Sequence, residues 1–477
     1  MLFDSPAYFV FLIPVVLLYW RLNRRAQNVF LLFASYFFYG WWDWRFLALM
    51  IGSTTIDFLI AQKIDPAANL PSRKKWFVAS LIINFSILGV FKYFDFFVGS
   101  FATALNTLGV HNVPLPLIRV LLPPGISFYT FQEVAYIVDV YKGRLQPAKS
   151  FVEYSLFVSL FPHLIAGPIQ RPGHLLPQVQ KERAFDGDRF FDGMMLIFSG
   201  LLRKCVVADN CALLANAAFG GQLGGPNLWV VLIGTYAFAW QVYGDFSGYS
   251  DIARGSAQLM GFHFMINFRQ PYLANRLQDF WRRWHVSLST WLRDYLYIPL
   301  GGSAGGTWKT SRNLLATMVL AGLWHGANWT FAIFGAIHGF VLSIERILFP
   351  SKKQVTDPNS ARPFRSFVSL WGQRILTFNI FCLSLAFFRA TSLSAAVQFL
   401  SGLSNLAWRS EYVSAFAMLA LFAIPLFLVD LMLEASNQEY LFANSSYAVR
   451  TAAATVGLFV LALFSGNNSY AFVYFRF

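Results

Sequence analysis

Histidine is the side chain in this sequence best suited to proton transfer. There are seven: His111, His163, His174, His263, His285, His325 and His338. Only 13% of the 477 residues are charged, and ionisable groups inside an apolar phase are costly and rare, so each buried imidazole is a functional candidate. His325 lies in the run Ala321-Gly-Leu-Trp-His-Gly-Ala-Asn-Trp329. It follows Asn313 by about 18 Å of helix, near mid-membrane if the helix starts at the cytoplasmic surface. An imidazole there has no water to solvate a charge and stays neutral, and a neutral imidazole is a competent general base. Gly322 and Gly326 would let another helix or a thin substrate approach it. A hydrogen-bonded structural histidine fits the same local residues, so both readings stand at this point.

His285 closes the run Trp281-Arg-Arg-Trp-His285, where it could line the inner mouth of a path or sit on a surface. His338 falls at the depth of His325 if the two spans form a hairpin. Gly335 and Gly339 beside it form a GxxxG packing face. His163 stands between Pro162 and Pro168. Those prolines predict a broken helix, tolerated only where it lines a cavity or packs on protein. Asp245 and Asp251 suit a structural role, pairing with an arginine such as Arg254 or capping a helix end. The familiar soluble-enzyme patterns do not occur: there is no GxSxG, no HExxH and no histidine with a spaced aspartate. Gly301 to Gly306 carries phosphate-loop glycines, but Thr307 stands where a lysine is required, so it reads as a flexible loop. Cys205, Cys211 and Cys382 are odd in number and form no CxxC, so neither a disulfide framework nor a metal site is expected.

The elements that must position these groups are those of a membrane protein. Apolar residues make up 56% of the chain and the mean hydropathy is +0.50. A soluble chain carries about 25% charged residues, so a soluble enzyme, a disordered chain and a coiled coil are excluded. The net charge of +14 does not indicate nucleic acid, because the basic residues sit in short polar stretches between apolar segments. That is the cytoplasmic-loop bias, seen at Arg21–Arg25, Arg73–Lys75, Lys142–Arg144 and Lys352–Arg365. The N-terminus lacks the form of a cleavable signal, and the first span is expected to run from outside to inside. Candidate spans begin at Tyr8–Trp20 and end at Ala452–Phe464. Several are short, and the expected count is about 11, with some tilted or re-entrant. No linker and no internal repeat is visible, so residues 1–477 read as a single membrane domain.

Residues 267–312 differ from the rest. They are basic and aromatic and hold no long apolar run. Trp281, Trp284, Leu288, Trp291, Leu292 and Tyr295 recur at helical spacing, while Asp279, Arg282, Arg283, Arg293 and Asp294 fall on another face. The spacing predicts one amphipathic helix on the cytoplasmic side, with rings at headgroup depth and arginines toward water, in contact with membrane lipid.

Three stretches make the sequence resemble a known family: Gln241-VYGDFSGYSDIARG-Ser256, Asp279-FWRRWHVSLSTWLRDYLYIPLGG-Ser303 and Ala321-GLWHGANW-Thr330. Leu160-FPHLIAGPIQR-Pro172, Gly200-LLRKCVVADN-Cys211 and the ending Ala471-FVYFRF support them. They resemble the membrane-bound O-acyltransferases, and among these the bacterial alginate O-acetylase group. His163 departs from that group's usual residue, which makes it a poor candidate for shared chemistry. The resemblance implies an all-α polytopic bowl of tilted helices with re-entrant and interfacial helices and a thin centre, in the bacterial inner membrane. It implies His325 as the family's near-invariant histidine and His285 as its second.

The expected reaction is acetyl transfer from a cytoplasmic thioester, acetyl-CoA as substrate with no bound cofactor, to an extracytoplasmic polysaccharide such as alginate. His325 would take the proton from the attacking hydroxyl, and His285 would orient the thioester or stabilise the oxyanion. Arg282, Arg283, Trp284, Trp324 and Asn328 are the expected donor or substrate contacts, the two arginines attracting coenzyme A phosphates unless they only snorkel to headgroups. Similar systems pass the acyl group to a periplasmic SGNH-type protein within an exopolysaccharide machinery, so such a partner is expected. D-alanyl transfer from a carrier protein, a transporter without chemistry and a membrane scaffold are the alternatives.

Overall fold

The computed structural model describes residues 1–64, 70–110, 117, 121–165, 167–349 and 364–465. His111, most of the basic cluster Lys352–Arg365 and the ending Ala471–Phe477 lie outside the described residues. Every regular element described is a helix, as the composition requires: lipid offers no partner for backbone N–H and C=O groups, so they must pair within the segment. Six helices are long and apolar enough to cross a membrane: Trp44–Lys63, Leu70–Thr107, Trp329–Leu348, Val368–Arg389, Glu411–Ser436 and Tyr447–Phe464. Pro6–Tyr19 and Leu393–Ser404 are apolar but shorter. Large apolar side chains such as Val10, Leu59 and Leu463 are exposed on these helices, which suits a lipid environment rather than water.

The described chain forms two compact units. The first holds Met1–Ile197 and Ser250–Met265. Several of its helix starts are capped by side chains: Ser5 accepts from Tyr8 N, Asn23 from Ala26 N, Asp43 from Arg45 N and Ser150 from Glu153 N. Each cap satisfies an otherwise orphaned donor. Two carboxylates are buried inside this unit and are hydrogen-bonded. Asp57 accepts from Ser80 Oγ at 2.6 Å and Asn84 Nδ2 at 2.7 Å. Glu133 accepts from Ser53 Oγ at 3.1 Å and Thr54 Oγ1 at 2.9 Å. The helix break expected around His163 is present. Phe151–Ser159 ends, and a short turn Phe161–Leu164 follows. A Cβ on Gly167 would meet His163 Cα at 2.4 Å, so only glycine allows the chain to fold back there. His163 Nδ1 accepts from Gln132 Nε2 at 3.3 Å, and its ring packs on Phe264.

The second unit holds Phe198–Tyr249 and Ile266–Phe477. Its interior carries paired charges. Lys204 Nζ lies 2.8 Å from Asp209 and 2.9 Å from Asp245. Asp245 is ion-paired as expected, but its cation is Lys204 rather than an arginine. In the first unit, Asp251 lies 3.7 Å from Arg254. Within the second unit the helices Gly306–His325 and Trp329–Leu348 form the expected hairpin. Their contact is made by glycines: a Cβ on Gly322 would meet Phe331 O at 2.1 Å, and one on Gly335 would meet Met318 O at 2.1 Å.

The single amphipathic helix expected within 267–312 is not formed. The stretch instead folds as a turn Pro271–Leu273, a helix Leu277–Arg283, a helix Val286–Leu292 and a wider turn Arg293–Tyr297. The break falls at Trp284, which is extended, and His285, at φ 44 and ψ 53. The side chains of the expected apolar face are not presented together on an open surface either. Trp284, Leu288, Trp291 and Leu292 are buried in protein. Burial among protein rings replaces lipid as the reason for the spacing.

Candidate active site

His285 is built by its own backbone. The left-handed conformation is unfavourable for a side chain with a Cβ, costing on the order of 1–3 kcal/mol, and is held where surrounding structure over-determines it. Two backbone bonds provide that here: Val286 N to Asn267 O at 2.9 Å and Arg269 N to Arg283 O at 2.9 Å. They lash an irregular strap, residues 267–269, to the break between the two short helices.

The strap also fixes the ring. Asn267 Oδ1 accepts from Ser287 N at 3.2 Å and Ser287 Oγ at 3.0 Å, and it lies 3.1 Å from His285 Nδ1. An amide oxygen can only accept, so Nδ1 holds the hydrogen and a neutral His285 presents Nε2 as its basic nitrogen. His285 lies outside the six described helices that are long and apolar enough to cross a membrane. Burial holds its imidazole well below the ordinary value, and the neighbouring His325 adds to the effect. Phe246 meets the ring edge-on at 4.6 Å.

His325 is the last residue of the 20-residue helix Gly306–His325. That helix begins earlier than the sequence suggested, so His325 stands about 28 Å from its start. Trp324 bridges the two imidazoles, with ring centroids 5.9 Å from His285 and 5.1 Å from His325. Phe388 at 5.3 Å and Phe334 at 6.3 Å pack on His325. The cluster is thus two buried histidines that share one indole neighbour, walled by rings.

A cavity of about 600 Å³ lies beside this cluster. Its lining includes Trp281, Arg282, Val286, Arg293, Ala321 and Arg346. Val286 adjoins His285 in the chain, and Ala321 is one turn before His325. Three arginines in the lining, against the one carboxylate of Glu345, give the cavity a net cationic character suited to an anionic ligand. Among the described residues Arg282 makes no ion pair, whereas Arg293 is paired with Asp294 at 2.7 Å.

Comparison with known proteins settles the lineage. The model of the membrane-bound O-acyltransferase family matches residues 226–392, which contain the whole cluster. The probable alginate O-acetylase AlgI of Pseudomonas syringae pv. tomato is 42% identical over 398 residues, 83% of this chain and 74% of that protein. The chain belongs to the membrane-bound O-acyltransferase family. The peptidoglycan O-acetyltransferase of Helicobacter pylori is 36% identical over 440 residues, covering 85% of this chain and 80% of its own. The teichoic acid D-alanyltransferase of Bacillus subtilis is 29% identical over 246 residues, covering 49% and 60%. As a member of this family the protein is a multi-pass membrane acyltransferase.

In this acyltransferase the expected site residues divide in two. His285, Trp324 and His325 come together, and Arg282 lines the cavity next to them. Arg283 is held elsewhere, by Asp279 at 3.1 Å and Glu434 at 2.8 Å. Trp284 packs on Phe280, Phe268 and Phe381 rather than on the cavity. Asn328 caps the helix Trp329–Leu348 by accepting from Thr330 N at 2.9 Å. Asn267 was not expected. It belongs to no chemical motif, and only the folded strap brings it to His285.

Proposed function

We propose that this acyltransferase is an O-acetyltransferase of the bacterial inner membrane. It moves an acetyl group from a cytoplasmic thioester, acetyl-CoA, toward a hydroxyl of an extracytoplasmic polysaccharide such as alginate. A periplasmic SGNH-type protein receives the group and completes the modification. The observation that carries this reading is the buried His285–Trp324–His325 cluster beside a cavity with three arginines. A thioester with an anionic head fits such a wall, and its acyl carbon could then reach the imidazoles. The similarity to alginate and peptidoglycan O-acetylating proteins, over most of the chain, favours acetyl over D-alanyl, for which the similar stretch is about half the chain.

The acceptor hydroxyl attacks the thioester carbonyl as His325 takes its proton. The tetrahedral intermediate collapses, the C–S bond breaks, and the proton leaves with the coenzyme A thiolate. Dry walls limit hydrolysis of the donor. The Asn267 contact gives His285 an accepting Nε2. His285 therefore orients the reactants as an acceptor, and it becomes a donor to the oxyanion only after taking up a proton. The carrier-protein donor remains the second reading. Membership of an acyltransferase family leaves a transporter without chemistry unsupported.

The test is genetic and chemical. Deletion of the gene should abolish acetyl ester on the host's surface polysaccharide. Wild type should restore it, and His325→Ala should not. Restored acetylation by His325→Ala would refute the proposed role of that residue.

A further inference from the structure

We infer that His338 is a positioning residue: through a one-way hydrogen-bond chain it holds the Trp281 indole as a wall of the cavity. The inference rests on the donor reading above. Trp281 Nε1 donates to His338 Nδ1 at 3.4 Å, with the two rings edge-on at 5.2 Å. An indole N–H donates and never accepts, so His338 Nδ1 is an acceptor and the ring hydrogen is on Nε2. Nε2 lies 3.0 Å from Ser384 Oγ. That hydroxyl spends its own hydrogen on Phe381 O at 2.6 Å.

The chain therefore runs indole to imidazole to hydroxyl to carbonyl. It cannot be reversed, because its first member is only a donor and its last only an acceptor. Such a chain admits one tautomer of His338 and one orientation of the indole N–H. The ring of His338 is fully buried, closed by Phe334 at 4.6 Å and Phe381 at 6.1 Å. His338 is not among the residues lining the cavity, whereas Trp281 and Arg282 are. Its influence on the reaction thus passes through Trp281. The fixed indole offers an apolar face in a wall that also carries Arg282, Arg293 and Arg346. That combination suits a donor with an anionic head and an uncharged arm.

The test is steady-state kinetics with acetyl-CoA, comparing wild type, His338→Leu, His338→Asn, Trp281→Phe and the His338→Leu/Trp281→Phe double variant. Loss of one hydrogen bond should raise the donor KM about three- to tenfold. In the same variants kcat should stay within about twofold, because only donor binding is touched. The double variant should be no worse than the poorer single one, since both remove the same bond. His338→Asn keeps a side-chain carbonyl near the position of Nδ1 and should recover most of the affinity. An unchanged KM in folded His338→Leu, or effects that multiply in the double variant, would overturn the inference. If His338→Leu does not fold, an unchanged KM in Trp281→Phe overturns it equally. A wild type that consumes no thioester overturns the donor reading and this inference together. An active wild type with an unresponsive KM overturns this inference alone.

Discussion

At the scale of residues, the two histidines were legible because each sits in a short, dense run of aromatic and small residues. Their partners were not. Asn267 lies 3.1 Å from His285 Nδ1, but the two are far apart in sequence and meet only through the strap. The tautomer of His285 is consequently a property of the fold. Replacing Asn267 with leucine should lower kcat about tenfold, the value of one hydrogen bond to a buried reacting group. Turnover of purified, folded Asn267→Leu at the wild-type rate would show that the tautomer is set by something else. His285 also makes stability depend on pH. Its folded value lies well below the unfolded 6.5, so the unfolded chain binds the extra proton as pH falls below 6.5. Stability from this group is complete above that pH and lost on acidification. The thermal midpoint should therefore fall less between pH 7.5 and 5.5 in His285→Asn than in wild type. Parallel falls would mean that His285 takes up its proton equally in both states.

At the scale of elements, helical class followed directly from composition and periodicity, while the break at Trp284–His285 did not. Three- and four-residue spacing continues across the break, so periodicity alone reads it as one helix. What interrupts the helix is a left-handed histidine held by two backbone bonds to the strap, and those bonds join distant residues. The glycines of the histidine hairpin were legible as packing positions, and the structure shows how tightly. Gly335→Ala would place a Cβ against Met318 O, where even the nearest atoms of Val319 are 2.9 Å away. Backbone cannot yield as a flexible side chain does, so this change should cost about 1–3 kcal/mol or more. Gly372, on the helix Phe364–Arg389, has nothing within 4 Å of an added Cβ, and Gly372→Ala should be neutral or slightly stabilising. Thermal unfolding of both variants in detergent checks the contrast, and equal midpoints would contradict the packing account.

At the scale of the whole molecule, the low charge and high apolar content identified a membrane protein before any motif was considered. The number of crossings was less legible. About 11 were expected from apolar runs of roughly the required length, and six helices among the described residues meet both length and hydropathy. Runs that looked like spans resolve into shorter helices or helices carrying buried ions, such as the Lys204 pairs with Asp209 and Asp245. A short apolar run states only that a segment is buried, and protein can bury it as well as lipid. The family was legible from its motifs, and similarity over most of the chain bears it out. The central claim is that His325 performs proton transfer on a coenzyme A thioester. The direct measurement is release of free coenzyme A from acetyl-CoA by detergent-purified protein with a hydroxyl acceptor or an SGNH-type partner. Wild type should turn over, and His325→Ala, with its thermal midpoint retained, should be slower by about 10²- to 10⁴-fold. Equal rates in the two proteins would contradict the account.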